Sequence, residues 1–175
     1  RVFSKQVHII TEEQRRRLKK ADFCKFRFCN TCNWRRNLNI QKSLLEALEK
    51  LKENRNIDFI FLTLTVENPL IEDLKSTVEH MNKSFVRFQQ TKAFRSAFLG
   101  FFKALEILGD KTKAGEAHPH FHIMLIVDKN YFKNKNYLGQ HQLRLMWQKA
   151  LKSSYLPQIR VEKIKPKKNS NLTAI

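Results

Sequence analysis

The run from Asp58 to Val66 (DFIFLTLTV) constrains the fold of this chain more than any other segment. Its residues are largely β-branched or aromatic, which is typical of a strand. Because successive side chains of a strand point to opposite faces, Ile60, Leu62 and Leu64 share one face, and phenylalanine and threonine side chains share the other. The run therefore predicts a buried strand in the middle of a sheet.

Helix-like and strand-like segments follow one another in a regular order around this run. Apolar residues at three- and four-residue spacing predict helices, and alternating or β-branched runs predict strands. We expect helices over 36–54, 70–90 and 139–151, and strands over 58–66, 97–108, 121–128 and 157–165. From the first strand onward the order is β-α-β-β-α-β. This order predicts an α+β, ferredoxin-like fold, in which an antiparallel sheet carries helices on one face and leaves the other face free for a ligand.

The first part of the chain differs from the rest. Residues 1–35 are basic and irregular, with a short helical run expected near 11–20 and three cysteines after it. We expect residues 1–35 to form a basic arm and residues 36–175 to form one domain. A chain of 175 residues suffices for one substantial core but hardly for two.

The charge of the chain points to a polyanionic partner. It carries 34 Lys and Arg against 16 Asp and Glu, a formal net charge of +18. A protein this basic repels itself unless a polyanion binds it, so nucleic acid is the first candidate, although some proteins are simply cationic. The longest apolar runs fall far short of the ~20 residues that a membrane-spanning helix needs. Because the sequence opens at Arg1 without Met or an apolar leader, we expect a fragment of a cytoplasmic protein.

The run His118-Pro119-His120-Phe121-His122 contains half of a metal site. In an extended strand, His120 and His122 project from one face while Phe121 turns into the core. His118 has the same parity, but its place at the strand entrance favours a supporting or DNA-contacting role over ligation. A hydrogen-bonded histidine pair without metal is the alternative.

Glu106 is the expected third ligand of this site. It interrupts an apolar run on the preceding strand, where a buried charge is costly unless it is paired or bound to metal. Across the predicted hairpin it can meet His120 and His122. Two histidines and one carboxylate with open positions suit Mn²⁺ or Mg²⁺ more than a closed structural zinc site. Glu116 competes for this role, but it lies in the hairpin loop, where carboxylates are usually solvated.

Cys24, Cys29 and Cys32 form a tight cluster with C-x4-C-x2-C spacing. An odd, clustered set of cysteines fits structural Zn²⁺ in a reducing compartment better than a disulfide framework. A fourth ligand is needed. His8 is the nearest candidate, and a residue upstream of Arg1 is equally suitable. Free buried thiols are the alternative.

Two basic clusters are candidate DNA contacts. Arg35 and Arg36 follow Trp34 directly after the cysteines, and a basic, aromatic edge can track a nucleic-acid backbone. In the alternative interpretation Trp34 packs beneath the zinc module. The second cluster is either a solvated strand end or a set of phosphate contacts. Its members are Lys163, Lys165, Lys167 and Lys168.

In these motifs the chain resembles a known family, the rolling-circle replication initiators of small plasmids of the chloramphenicol- and kanamycin-resistance type, within the HUH endonuclease superfamily. The resemblance covers nearly the whole chain and is loose over the first twenty or so residues. The motifs that carry it are the cysteine cluster with Trp34-Arg35-Arg36, the run 59–65 (FIFLTLT), Leu105-Glu106-Ile107, and His118-Pro119-His120-Phe121-His122. Their joint occurrence in this order and spacing makes the match specific.

The resemblance implies an enzyme that nicks single-stranded or hairpin origin DNA, with a host helicase and polymerase as partners. In such enzymes a metal at the histidines polarises the scissile phosphate, and a tyrosine attacks to give a 5′-phosphotyrosine link and a free 3′-OH. The family's tyrosine lies in a Glu-x-x-Lys-Tyr helix that has no counterpart here before Ile175. Tyr131, Tyr137 and Tyr155 are expected to be packing residues. We therefore expect the nucleophile beyond Ile175, and a chain that is inactive alone.

Two other interpretations stay open. The same topology serves non-catalytic modules that bind single-stranded nucleic acid, but these stack bases on aromatics of the central strands, where this chain has His120 and His122. Another HUH enzyme, a relaxase or a single-tyrosine transposase, would share the histidine motif. The cysteine cluster and the helix after it favour the plasmid initiators.

Overall fold

The computed structural model of the chain describes residues 7–8, 17–18, 22–26, 29–109 and 112–164. The chain divides into two compact units, Arg1–Lys50 and Leu51–Ile175. The boundary between them falls inside a helix. None of the described helices is long and apolar enough to cross a membrane.

The first unit contains a short ladder and most of a long helix. Strand β1 (Val7–His8) pairs antiparallel with β2 (Arg17–Leu18), and helix α1 spans Asn30–Asn54. The prediction of a helix near 11–20 is wrong at the two residues of this range that the structure describes, because residues 17 and 18 form β2. That segment has no apolar periodicity to hold a helix against a core, and short helices without such packing are marginal.

Helix α1 begins at Asn30, earlier than residue 36, because the cysteine segment turns directly into it. The Cys29 N–H donates to the Phe26 carbonyl at 3.2 Å, and the Asn33 N–H donates to the Cys29 carbonyl at 2.9 Å. The second of these bonds spans four residues, as within a helix, so Cys29 caps the first turn.

The second unit has the expected β-α-β-β-α-β order with one additional short α-helix and two single 3-10 turns, Ile71–Asp73 and Tyr131–Lys133. Its elements are β3 (Ile57–Thr65), α2 (Leu74–Gln90), α3 (Lys92–Ala97), β4 (Gly100–Glu106), β5 (His120–Asp128), α4 (Gln140–Leu151) and β6 (Ile159–Lys163). The four strands form one antiparallel sheet in the order β4-β5-β3-β6. Strands β3 and β5, the first and third of the motif, thus lie in the middle of the sheet. This order confirms the α+β, ferredoxin-like arrangement.

Helices α2 and α4 cover one face of this sheet. Leu62 and Leu64 of β3 and Phe121 of β5 are fully buried in the core that these helices share with the sheet. Trp147 of α4 is also fully buried and donates its Nε1–H to the Thr65 carbonyl at 2.9 Å. The opposite side chains of β3 to β6 lie on the other face, named here the open face. At one end of this face Phe59 and Ile126 are buried, and Lys52 of α1 lies over the Phe59 ring.

The carboxyl end of α4 is held by α2. The last carbonyls of a helix have no partner within it, so side chains must satisfy them. Arg87 donates Nε–H to the Ala150 carbonyl at 2.8 Å, and Nε2 of His80 lies 2.9 Å from the Leu151 carbonyl. Cationic groups at this end also interact favourably with the helix dipole.

Helix α3 corrects the expectation of a strand from residue 97. Thr91 accepts a hydrogen bond from the Phe94 N–H at 3.2 Å, which is a helix N-cap. Phe94 and Ala97 are buried on one side of the helix. The strand β4 therefore begins only at Gly100, after the turn of α3 has ended.

Candidate metal centre

Strand register brings the three predicted ligands together on the open face. Glu106 pairs with His120 across β4 and β5, and His120 pairs with Thr65 across β5 and β3. Phe121, between the two histidines, is fully buried against the helices. The predicted parity of this strand is confirmed: His120 and His122 project from the same face and Phe121 from the other.

The ligand atoms of this cluster lie within contact distance of one another. Oε2 of Glu106 is 2.8 Å from Nε2 of His122 and 3.3 Å from Nε2 of His120, and the two Nε2 atoms are 3.0 Å apart. The hydrogen bond with His122, together with the nearby imidazoles, holds the pKa of Glu106 below its usual value. Three atoms with lone pairs this close need a proton or a cation between them, and the group can hold a metal ion.

Neighbouring groups set how the histidines face the cluster. Nδ1 of His120 is 2.8 Å from the His118 carbonyl, and because a carbonyl only accepts, Nδ1 carries the hydrogen and Nε2 faces the cluster. Nδ1 of His122 lies 3.5 Å from Oγ1 of Thr63, and Phe61 stacks on the His122 ring with centroids 5.2 Å apart. Metal-binding histidines are oriented in this way by a bond from the second ring nitrogen. The residues present therefore fit a divalent cation.

His118 and Glu116 lie beside the cluster and not in it. Nδ1 of His118 is 2.6 Å from Oδ1 of Asn68, and the Asn68 amide donates to Oε2 of Glu116 at 3.3 Å. The His118 ring contacts the His120 ring with centroids 5.0 Å apart. Sequence reasoning does not find Asn68, since an asparagine before a proline indicates only a turn.

None of the three tyrosines of the chain belongs to the cluster. Tyr131 is buried, and its hydroxyl donates to the Leu138 carbonyl and accepts from the Leu138 N–H. Tyr131 and Tyr137 follow β5 beyond its last residue, Asp128. Asp128 is roughly 27 Å from His120 along the strand, at 3.4 Å per residue. Tyr155 lies nearer, but its hydroxyl accepts from the Glu67 N–H at 3.1 Å.

The three cysteine sulfurs of the first unit converge on one point. All three lie within 4.8 Å of one another, and Sγ of Cys24 is 3.5 Å from Sγ of Cys32. Sulfurs around a tetrahedral zinc ion with 2.3 Å bonds are about 3.8 Å apart, so the arrangement fits zinc. The backbone N–H of Cys32 lowers the pKa of Cys29, whereas burial raises the pKa of Cys32. The side chain of His8 lies outside the described part of the chain.

The first basic cluster, Arg35 and Arg36, lies on the exposed start of α1. Trp34 is 57% exposed, so it does not pack beneath the cysteine cluster. Arg35 lies over the Phe23 ring, 5.0 Å from its centroid, and Arg36 donates to Oδ1 of Asn33 at 2.7 Å.

The second basic cluster is placed only in part. Lys163 shares the helix-covered side of β6 with Ile159 and forms an ion pair with Asp58 at 2.5 Å, so its geometry favours a structural role. Lys165, Lys167 and Lys168 lie outside the described residues. Arg160 of the same strand lies on the open face, and sequence reasoning does not find it because only pairing with β3 fixes its parity.

Comparisons with known proteins give the family of this chain. The profile of a family described as replication protein matches residues 15–174. The chain is 40% identical over 154 residues to "Protein rep" of a Bacillus species, covering 86% of this chain and 48% of that protein. It is 32% identical over 160 residues to "Protein rep" of Staphylococcus aureus, covering 91% of this chain and 69% of that protein. No solved structure matches it significantly.

The fold and the cluster define an α+β protein with a candidate metal centre on an open sheet face. The chain belongs to the replication protein family. It spans about half the length of most of the curated relatives it matches.

Proposed function

We propose that this chain is the metal-dependent nicking domain of a plasmid replication initiator, which binds the double-strand origin and cuts one DNA strand. The observation that carries this proposal is the cluster of Glu106, His120 and His122 on the open face of a chain from the replication protein family. A net charge of +18 suits a polyanionic partner.

The chain's own residues bind and orient the phosphate in this proposal. Glu106, His120 and His122 would hold Mn²⁺ or Mg²⁺, which when bound supplies Lewis acidity toward a phosphate oxygen. The nucleophile is the phenol oxygen of a tyrosine in the complete protein, expected beyond Ile175. It loses its proton and bonds to the phosphorus, and the bond to the 3′ oxygen breaks. The 3′ oxygen takes up a proton and is released as a 3′-OH, while the 5′ phosphate stays on the tyrosine.

The first unit supports DNA binding in the same proposal. Structural zinc at Cys24, Cys29 and Cys32 would fix the start of α1, and Arg35 and Arg36 would contact the DNA backbone from it. The exposure of Trp34 leaves an aromatic ring free to stack on a base beside these arginines.

A gel that resolves protein-linked oligonucleotides tests the proposal. In Mn²⁺, the 175-residue chain should bind hairpin origin DNA without forming an adduct, because Tyr131 and Tyr137 lie beyond the far end of β5 and the Tyr155 hydroxyl is bound by the Glu67 N–H. A longer chain that continues through the next helix should form one. An adduct with neither chain would favour a non-catalytic binding module, and an adduct lost in Tyr155→Phe would place the nucleophile within this chain.

A further inference from the structure

The open face of the sheet has one permanent cation on its strands. Among the residues of β3 to β6, the lysines and arginines are Lys103, Arg160 and Lys163. Lys103 lies over the Phe121 ring, 3.9 Å from its centroid, and so points to the helices, as does Lys163. Arg160 alone of these three strand residues points to the open face, where the Glu106 cluster lies.

Arg160 shares a row of the sheet with one histidine of the cluster. It pairs with Thr63 across β6 and β3, and Thr63 pairs with His122 across β3 and β5. Neighbouring strands are about 4.8 Å apart, so the α-carbons of Arg160 and His122 are separated by roughly 10 Å. Only Thr63 lies between them in this row, and an arginine side chain is long enough to extend over a threonine.

The guanidinium of Arg160 is exposed and held by a weak partner. Its Nη2 donates to Oε1 of Glu162 at 2.6 Å, with the two side chains 74% and 49% exposed. An exposed pair of this kind contributes little to stability, so another anion can replace the carboxylate at small cost. A phosphate accepts two parallel hydrogen bonds from a guanidinium, as a carboxylate does.

We propose that Arg160 binds a DNA phosphate next to the phosphate that lies at the Glu106–His120–His122 cluster. Glu162 competes with the DNA for the same guanidinium. This assignment rests on the proposed function. It makes opposite predictions for two neighbouring residues of one strand. Removing Arg160 should weaken DNA binding, whereas removing the charge of Glu162 should strengthen it.

The test is the salt dependence of binding of a fluorescent single-stranded oligonucleotide to the 175-residue chain. Each phosphate contact to a single strand contributes about 0.7 to the slope of log K against log salt. Arg160→Gln should therefore lower the slope by about 0.7, and Glu162→Gln should raise the affinity at low salt. Lys103→Gln is the matched control, since it removes one charge from the helix-covered face of the same sheet and should leave the slope unchanged.

Two outcomes would overturn the assignment. One is an equal loss of slope in Arg160→Gln and Lys103→Gln, which would indicate only a general effect of charge. The other is weaker binding by Glu162→Gln, which would show that the carboxylate does not compete with DNA. A wild-type chain that binds no DNA would instead contradict the proposed function itself, so the two failures are distinguishable. Unfolding curves of each variant confirm that the comparison is made between folded proteins.

Discussion

Gly109 lies so close to His118 that a β-carbon at position 109 would come within 2.9 Å of Cδ2 of the His118 ring. The ring cannot move freely, because Asn68 holds its Nδ1 at 2.6 Å. The His118 carbonyl in turn accepts the hydrogen of His120 Nδ1. A glycine in the loop after β4 is therefore connected, through one histidine, to a proposed metal ligand.

We predict that Gly109→Ala weakens Mn²⁺ binding, measured by calorimetry. Displacing His118 alters the bond that orients His120, and changes to such outer partners typically cost about 10- to 100-fold in metal affinity. Gly100→Ala is the control, because its β-carbon would meet Ile126 at an ordinary 3.5 Å. Equal Mn²⁺ affinities of the wild type, Gly109→Ala and Gly100→Ala would show that His118 does not support the site.

Removing either histidine of the cluster should abolish specific Mn²⁺ binding. His120→Ala and His122→Ala each take one of three ligands from a site that already has open positions. His141→Ala is the control, since His141 lies on α4 outside the cluster. Unchanged binding in both cluster variants would remove this site from consideration.

Protein purified without chelator should contain one zinc ion per chain, measured by elemental analysis. Cys24→Ser should lose it, because three thiolates and one further ligand are the minimum for a closed zinc site. Thr31→Ser, between Cys29 and Cys32 in sequence, should keep it. Zinc-free wild-type protein would favour the alternative of free thiols.

Arg87→Met should lower the free energy of unfolding by about 1.5–3 kcal/mol, the range for hydrogen bonds to charged groups. The substitution removes the bond to the Ala150 carbonyl and the bond from Nη2 to Ser84 at 2.9 Å. Arg95→Met on the exposed side of α3 should change stability little. Urea denaturation measures both, and equal effects would mean that α2 does not hold the end of α4.

Tyr131 should make the protein less stable at alkaline pH. Burial raises the pKa of its hydroxyl above the ordinary value of 10.0, so the folded state holds this proton more tightly than the unfolded state. The stability that it contributes is complete below pH 10 and is lost as pH rises through the higher, folded pKa. The difference in unfolding free energy between wild type and Tyr131→Phe should therefore shrink as the pH rises from 10 through the folded pKa. A difference that does not change with pH would contradict this prediction.

Much of the fold and of the cluster was predictable from periodicity alone. The faces of β3 and the parity of His120 and His122 follow from the two-residue repeat of a strand, which no distant contact can change. Glu106 stood out because it is the one charge near the end of a largely apolar run. The pattern of apolar residues also gave α2 and α4 close to their observed limits.

What the sequence could not show depends on contacts between distant segments. The bonds from Asn68 to His118 and Glu116 form only when the loop after β3 meets the segment before β5. The parity of Arg160 depends on where β6 begins to pair with β3. Helix α3 depends on a cap at Thr91 and on the burial of Phe94, which a short run of mixed residues does not indicate.

Glu106 and Arg160 lie on strands at opposite edges of the open face. The central strands β3 and β5 supply Thr63, His120 and His122, while edge strand β4 adds the carboxylate of Glu106 and edge strand β6 adds the guanidinium of Arg160. Each edge strand pairs with a single neighbour, so its sequence can vary without shifting the register of the other edge. The proposed metal ligand Glu106 and the proposed phosphate contact Arg160 therefore lie on strands whose sequences can change independently of each other.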